Sequence, residues 1–209
     1  MTPAPQDRRG AYAKGVAKRE EILQTALEVI AREGYRGASV KEIAEAVGLS
    51  QAGVLHYFDS KEELFTEVLR RRDNLDRADF MPGEGWPGGF EGMRESFVEV
   101  IRHNGDVPGL VQLFSRLAVD AADATHPAHA YFIERGRELR EGLSTVIAEQ
   151  QRAGAITDRI DAETLARVLQ AVADGLQLQW ALERDVDMAA TMDALFAALL
   201  TEGGPARDA

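Results

Sequence analysis

Helical periodicity runs through almost the whole chain, and this pattern constrains the fold more than any other feature. In the first long segment the apolar residues Ile22, Leu23, Ala26, Leu27 and Ile30 recur at the spacing of one face of an α-helix. No segment of useful length alternates apolar and polar residues with the period of two that a half-buried strand requires. The sequence therefore predicts an all-α protein.

Capping and loop signals divide the helical pattern into a front part and a larger back part. Gly34 is expected to end the first helix, and Ser39, Ser50 and Ser60 each precede a new helical segment. A loop rich in proline and glycine at 80–89 follows the fourth helix. Four or five further helical segments are expected, at about 90–104, 108–123, 128–153, 161–184 and 188–202. The predicted units are a flexible basic arm (1–14), a three-helix domain (15–60), a connecting helix (61–79) and a helical bundle (80–204).

Charge is distributed unevenly between these units. The 209 residues carry a net charge of −11, yet residues 1–60 hold eight basic and eight acidic residues, so all the excess acid lies in the back part. Such an asymmetry indicates two roles on one chain. The absence of cysteine excludes disulfides, thiolate metal sites and a cysteine nucleophile. With no apolar stretch of membrane-spanning length and no secretory leader pattern, we expect a cytoplasmic protein that does not contact membranes.

The most informative local pattern is a pair of short helices joined at 48–50. Ala44 is small enough to let the second helix cross the first closely, and Gly48 can adopt the positive φ that a tight turn requires. Three apolar residues are expected to face inward: Ile43, Val47 and Val54. A helix-turn-helix is built in this way, with the second helix free to enter a major groove of DNA. The spacing alone also fits an ordinary corner between two helices.

The residues around this pair resemble the TetR family of bacterial transcriptional regulators. The resemblance is carried by ASVKEIAEAVGLS at 38–50 and QAGVLHYFDSKEELF at 51–65, and it extends over about residues 17–70. The back part is similar to the family in its length and its number of helices. Its residues 173–180 are also similar in sequence to the second-last helix of many members. The resemblance implies an N-terminal helix-turn-helix domain (motif about 39–58) followed by a ligand-binding and dimerisation bundle. It further implies a sequence-specific regulator, more often a repressor, that a small molecule controls.

The resemblance also implies which residues contact DNA. These are Ser39, Lys41, Gln51, Ala52, Gly53, His56, Tyr57 and Lys61. Gln51 suits an adenine edge, His56 a phosphate or a guanine, and Lys61 a phosphate at a helix N-terminus. Leu55 departs from the family, because many members carry at that position a tyrosine that contacts phosphate. For Phe58 packing is the expected role.

In the back part, the resemblance implies a dimer interface and a ligand pocket. The expected interface residues are Val172, Leu176, Trp180, Met192, Leu195, Phe196 and Leu199. The expected pocket residues are Phe97, Ile101, His103, Leu113, Phe114, Leu117, Phe132 and Gln177. The same apolar residues also suit the interior of an ordinary helical core. The expected partners are double-stranded DNA with a palindromic operator, a second copy of the chain and an unidentified effector.

Two other function classes were compared with this interpretation. A helical small-molecule-binding or scaffold protein with little specific affinity for DNA fits the charge of −11 and Leu55. A metal site is suggested by His126 and His129, but Pro127 between them makes the pattern weak. No motif for a phosphate loop, a serine nucleophile or a zinc protease is present. We therefore expect neither an enzyme nor a cofactor.

Overall fold

The computed structural model describes residues 5–81, 86 and 88–201, with side chains from Tyr12 onward. The helices in these ranges are α1 (Pro5–Gly37), α2 (Val40–Ala46), α3 (Gln51–Val54), α4 (Lys61–Phe80), α5 (Gly89–Asp106), α6 (Pro108–Asp120), α7 (His129–Arg152), α8 (Ala162–Leu182) and α9 (Met188–Ala198). The only extended pairing among the described residues is an isolated bridge between Ile156 and Leu200. The predicted all-α fold is confirmed. No helix in the described ranges is long and apolar enough to cross a membrane.

The first helix is longer at its start than the sequence analysis predicted. Residues 5–14, expected to belong to a flexible arm, form the beginning of α1, while 1–4 lie outside the described residues. Pro5 suits the first helical position because the missing N–H has no partner to lose there. At the other end, Gly34 breaks the helix with φ 73° and ψ 168°, a conformation essentially restricted to glycine. One further helical turn runs on to Gly37.

Two apolar cores form within the chain, and their boundary differs from the predicted one. The first core contains residues of helices α1, α2, α3, α4 and α6, together with Tyr131 of α7. The second core contains residues of α5, α7, α8 and α9. The members of α6 in the first core are Leu110, Leu113, Phe114 and Leu117. Helix α6, which the sequence placed in the rear bundle, therefore packs against the front helices and ties the two parts together.

The contact between α6 and α1 leaves no room for a side chain at Gly109. A Cβ built on Gly109 would lie 2.1 Å from the backbone oxygen of Ile30 and 3.0 Å from the Cα of Gly34. Both neighbours are main-chain atoms, so neither can move aside without moving the helix. Glycine at this position is therefore what permits the two helices to approach so closely.

We predict that Gly109→Ala destabilises the protein. The added methyl group overpacks the contact between α6 and α1, which should lower the free energy of unfolding by about 1–3 kcal/mol or more. The control is Gly105→Ala in α5, where a Cβ meets nothing within 4 Å. That control should leave stability unchanged or raise it by up to about 1 kcal/mol. Urea unfolding at fixed protein concentration measures both, and equal stability of the two variants would contradict the close approach.

Candidate nucleic-acid interface and internal cavity

Serine caps and one glycine fix the geometry of the α2–α3 pair. Ser39 Oγ accepts a hydrogen bond from the Glu42 amide at 3.2 Å, and Glu42 Oε2 accepts one from the Ser39 amide at 2.7 Å. This capping box lowers the pKa of the Glu42 carboxyl. Ser50 Oγ accepts from the Gly53 amide at 3.0 Å. Gly48 has φ 67° in the turn between the helices, as the sequence predicted.

The second helix of the pair is shorter than predicted. Helix α3 ends at Val54, and the chain then continues in a turn in which the Tyr57 amide donates to the Val54 oxygen at 2.9 Å. Val54 and Phe58 are buried, which confirms the packing role expected for Phe58. The guanidinium of Arg19 lies 4.7 Å from the centre of the Phe58 ring, so the turn is anchored to α1.

The residues expected to contact DNA lie at the start of α2, on α3 and the turn after it, and at the first position of α4. Lys41, Gln51, Ala52, His56 and Lys61 are exposed. Those that are half-buried are Ser39, Gly53 and Tyr57. Leu55, in the turn after α3, is 40% exposed, and its apolar side chain cannot bond phosphate. The helix pair and the start of α4 therefore expose the polar side chains of Lys41, Gln51, His56 and Lys61.

A cavity of about 680 Å³ lies in the rear part of the chain. Its walls come from the C-terminal half of α4, from α5, α7 and α8, and from Met81 and Trp86. The Trp86 indole packs over Gly142, where a Cβ would meet its Nε1 at 3.1 Å. The volume is typical of a site for a small organic molecule.

Only part of the predicted pocket lines this cavity. Phe97, Ile101 and Gln177 do so. Leu113, Phe114, Leu117 and Phe132 instead pack in or against the first core, because α6 faces the front helices. His103 is not part of the cavity wall, although its Nε2 lies 3.8 Å from Asp76 Oδ1, and its ring stands beside Phe80.

The charged side chains of the cavity were not predicted from the sequence. Asp73 Oδ1 accepts from Arg72 at 3.0 Å, and Asp73 Oδ2 accepts from Arg135 at 2.9 Å and from the Tyr131 hydroxyl at 2.5 Å. Burial opposes ionisation of Asp73, but Arg135 and Arg72 outweigh it and hold the pKa of this carboxyl below its usual value. Burial raises the pKa of the Tyr131 hydroxyl, and the Asp73 carboxylate adds to the effect.

The pKa values of the Asp76 and Asp174 carboxyls are shifted in the opposite direction, upward. Asp76 is 6% exposed, and its carboxylate oxygens lie 3.8 Å from Arg72 Nε and from His103 Nε2, too far for hydrogen bonds. Burial therefore raises the pKa of the Asp76 carboxyl against the attraction of these cations. Burial likewise raises the pKa of the Asp174 carboxyl, although Arg135 opposes it. The cavity thus contains a buried carboxylate, Asp76, and a half-buried one, Asp174, whose burial outweighs the attraction of the nearby cations.

A sequence signal for the charged wall exists in α4. The buried face of this helix begins with apolar residues, and charged residues occupy the same face further along the helix: Leu64, Phe65, Val68, Leu69, Arg72 and Asp76. Charged residues on an otherwise buried helical face require partners or a polar cavity. This face therefore marks the point where α4 leaves the apolar core and enters the cavity wall.

The predicted dimer interface requires correction. Leu176, Met192, Phe196 and Leu199 are buried within a single chain and pack in the second core, so a partner cannot reach them. The others, Val172, Trp180 and Leu195, are half-buried against the same core. Helical periodicity identified the apolar face of α8 and α9 that points inward. It could not distinguish this face from a dimer interface, because both consist of apolar residues.

The outward faces of α8 and α9 carry a separate set of apolar and small residues. On α8 these residues are spaced alternately three and four apart: Val168, Ala171, Gly175, Leu178 and Leu182. On α9 the exposed positions include Ala190, Ala194, Ala197 and Ala198. Leu178 is 55% exposed and Leu182 78% exposed. This heptad-like pattern is typical of helices that pack against a partner.

The histidine pair at 126 and 129 is engaged with the backbone. His126 Nδ1 accepts from the Ala128 amide at 3.1 Å, and His129 Nδ1 lies 2.8 Å from the Ala121 oxygen. Across the part of the chain that the structure describes, no group of three or more metal-ligating side chains is suited to hold a metal ion.

Comparison with known proteins identifies the family. Residues 22–68 match the model of bacterial regulatory proteins of the tetR family. The chain is 30% identical over 164 residues to the HTH-type transcriptional repressor AcnR of Corynebacterium efficiens, covering 78% of this chain and 81% of that protein. The chain belongs to the TetR family. As the sequence predicted, it is a DNA-binding transcriptional regulator, and membership of a family of regulators confirms that it is not an enzyme.

Solved structures of transcriptional regulators share the architecture over most of the chain. A transcriptional regulator from a Rhodococcus species is 26% identical, with a TM-score of 0.66 over 87% of this chain and 95% of its own. A regulator from Saccharomonospora viridis, solved in complex with choline, is 25% identical, with a TM-score of 0.61 over 86% of this chain and 93% of its own. The helix-turn-helix domain and the rear bundle therefore both follow the TetR arrangement.

We predict that Asp76→Asn stabilises the protein at neutral pH. An aspartate whose pKa is raised by folding destabilises the native state where it is ionised, and this penalty disappears below the pKa of the unfolded chain, about 3.9. The gain in melting temperature should therefore be present at pH 7 and fade as the pH falls to about 4. Asp79→Asn, an exposed position on the same helix, is the control and should have little effect. Destabilisation by Asp76→Asn at pH 7 would show that attraction to Arg72 and His103 outweighs burial.

Proposed function

We propose that the protein is a homodimeric repressor in the bacterial cytoplasm, which binds a palindromic operator and is controlled by a small organic effector in the α4–α8 cavity. The observation that carries this proposal is the position of α4. This one helix begins at Lys61 beside the DNA surface and ends in the cavity wall. The units proposed are a DNA-binding domain (15–60), a connecting helix (61–79) and an effector and dimerisation domain (80–204), whose helix α6 packs on the core of the DNA-binding domain.

The DNA surface is proposed to combine backbone contacts with limited base contacts. Lys61 stands at the N-terminus of α4, where backbone amides and the helix dipole favour phosphate. Lys41 is exposed and lies 3.8 Å from Glu45, a separation that leaves it able to exchange this partner for phosphate. Gln51 and His56 carry the polar groups suited to base edges. Ala52 and Gly53 present little side chain, so DNA shape should contribute to specificity.

The outward stripes of α8 and α9 are proposed as the dimer interface. Pairing each stripe with its copy gives a four-helix arrangement, in which Gly175 and the alanines of α9 permit close approach. A two-fold dimer places two recognition helices on one face of DNA, with half-sites about one helical turn apart, ~34 Å. The name of the relative AcnR, a repressor, supports the same role for this chain.

The effector is proposed to act by linkage. A ligand that prefers the α4 position unsuited to DNA weakens DNA binding by its difference in affinity for the two states, commonly about 1–3 kcal/mol. The choline complex of the regulator from Saccharomonospora viridis supports a small-molecule ligand for a bundle of this kind.

Lys61→Ala and Gln51→Ala are predicted to weaken DNA binding in different ways. Loss of the Lys61 phosphate contact should weaken binding to all duplexes equally. It should also reduce the slope of the logarithm of the binding constant against the logarithm of the salt concentration by about one. Loss of the Gln51 base contact should cost about 1–3 kcal/mol on the preferred duplex and relax preference at one half-site position. Fluorescence anisotropy on preferred and scrambled duplexes measures both effects. Arg116→Ala, exposed on α6, is the control for loss of a positive charge. A change of base preference caused by Lys61→Ala would contradict these roles.

Leu178→Arg is predicted to produce monomers. An arginine at the centre of the proposed stripe places like charges opposite each other across the two-fold axis, so sedimentation should show a monomer and tight operator binding should be lost. Val119→Arg is the matched control, because Val119 is 75% exposed on α6 outside the stripe. That variant should remain dimeric. A dimeric Leu178→Arg protein would refute this interface.

A further inference from the structure

We propose that the cavity ligand is a protonated organic amine on an apolar body, held by Asp76 and Asp174. This inference rests on the proposed function of the cavity as an effector site and adds the chemical class of the effector. Four observations carry it: the balance of charge inside the cavity, the engagement of its arginines, two unpartnered buried acceptors and an aromatic wall.

The interior of the cavity has an excess of negative charge. Its wall contains five carboxylates and three guanidinium groups: Asp73, Asp76, Glu138, Glu141 and Asp174, against Arg72, Arg77 and Arg135. Asp73 takes the hydrogen bonds of Arg72 and Arg135. The carboxylate oxygens of Asp76 lie 3.8 Å from Arg72 Nε and from His103 Nε2, and Asp174 is half-buried in the wall formed by α8. A positively charged ligand near these two aspartates would offset part of the excess negative charge.

An anionic ligand would find no uncommitted arginine in this wall. The arginines of the described lining each bind a carboxylate: Arg72 binds Asp73 at 3.0 Å, Arg135 binds Asp73 at 2.9 Å, and Arg77 binds Glu138 at 3.1 Å. An anion would therefore have to share these guanidinium groups with their carboxylates while Asp76 repels the ligand. A cation meets no such cost.

Two buried amide side chains in the wall have an oxygen that accepts no hydrogen bond. Asn104 of α5 and Gln177 of α8 are each 5% exposed, and the Oδ1 of the first and the Oε1 of the second have no partner. A buried acceptor without a donor destabilises a protein by about 1–3 kcal/mol. An ammonium group provides three donors, the kind of group that these oxygens lack. The Nε and Nη1 of Arg72 are likewise buried without hydrogen-bond partners, while its Nη2 binds Asp73.

The remaining wall suits the apolar body of such an amine. Trp86 and Phe97 lie side by side, with ring centres 6.3 Å apart, and Ile101 and Leu139 extend the apolar surface. An aromatic ring face also attracts a cation directly. The cavity thus combines carboxylates, acceptors and aromatic rings, the set of groups that together recognise an organic ammonium ion.

The test compares phenylalkyl compounds that share a skeleton and differ in their end group. Phenylalkylamines of graded chain length are measured by calorimetry against the corresponding alcohols and carboxylates. The amines should bind at least about tenfold more tightly than the matched alcohols, because only they compensate a buried carboxylate. In a Trp180→Phe background the remaining tryptophan, Trp86, should change its fluorescence when the amine binds.

Matched variants locate the charge that holds the amine. Asp76→Asn and Asp174→Asn should each weaken binding of the amines by about tenfold or more and leave binding of the alcohols unchanged. The Asp79→Asn protein should bind both classes of compound like the wild type. Circular dichroism verifies that each variant is folded. Tighter binding of carboxylates, equal binding of amines and alcohols, or no binding by any amine would overturn the inference.

The same compounds separate this inference from the proposed function when DNA affinity is measured alongside. A carboxylate that binds the cavity and releases DNA would refute the amine class and support the effector site. An amine that binds through Asp76 yet leaves DNA affinity unchanged would support the amine class and refute the control of DNA binding from this cavity.

Discussion

Helix α4 is shared by the two parts of the molecule, and the rest of the structure depends on this arrangement. Its first turns bury Leu64, Phe65 and Val68 in the core under the helix-turn-helix pair. Its last turns place Arg72 and Asp76 in the cavity wall. Twenty residues of helix span about 30 Å, and a helix is too stiff to move at one end alone. This arrangement supports the proposal that a ligand that shifts the cavity end also moves the proposed DNA-binding end.

Close packing makes this coupling possible. Helix α6 is pressed onto α1 at Gly109, where backbone meets backbone, and its apolar residues complete the front core. The guanidinium groups of Arg72 and Arg135 lie 5.5 Å and 4.8 Å from the centre of the Phe114 ring, so the charged floor of the cavity rests directly on this core. Tightly packed interiors transmit displacement because they contain few voids to absorb it. The cavity and the DNA surface thus share one continuous support.

Local signals predicted the helix-turn-helix correctly, whereas the rear part depended on contacts that a sequence does not display. Ser39, Ser50 and Gly48 act within a few residues of themselves, so their patterns determine caps and turns before any tertiary structure exists. Periodicity located α8 and α9 but selected Met192 and Phe196 for the interface, since it cannot distinguish an inward apolar face from an outward one. The cavity was found only in part, because Asp76 and Asp174 come from distant helices and the burial that raises the pKa of each carboxyl arises only in the assembled fold.

Selection of bound duplexes from a random DNA library by the purified protein, followed by sequencing, tests the central claim most directly. The account predicts an enriched two-fold symmetric motif, with half-sites about one helical turn apart, ~34 Å. A symmetric motif would establish both the sequence-specific DNA surface and the dimer that positions two copies of it. An enriched motif without symmetry, or no enrichment with and without the amines that occupy the cavity, would contradict the account.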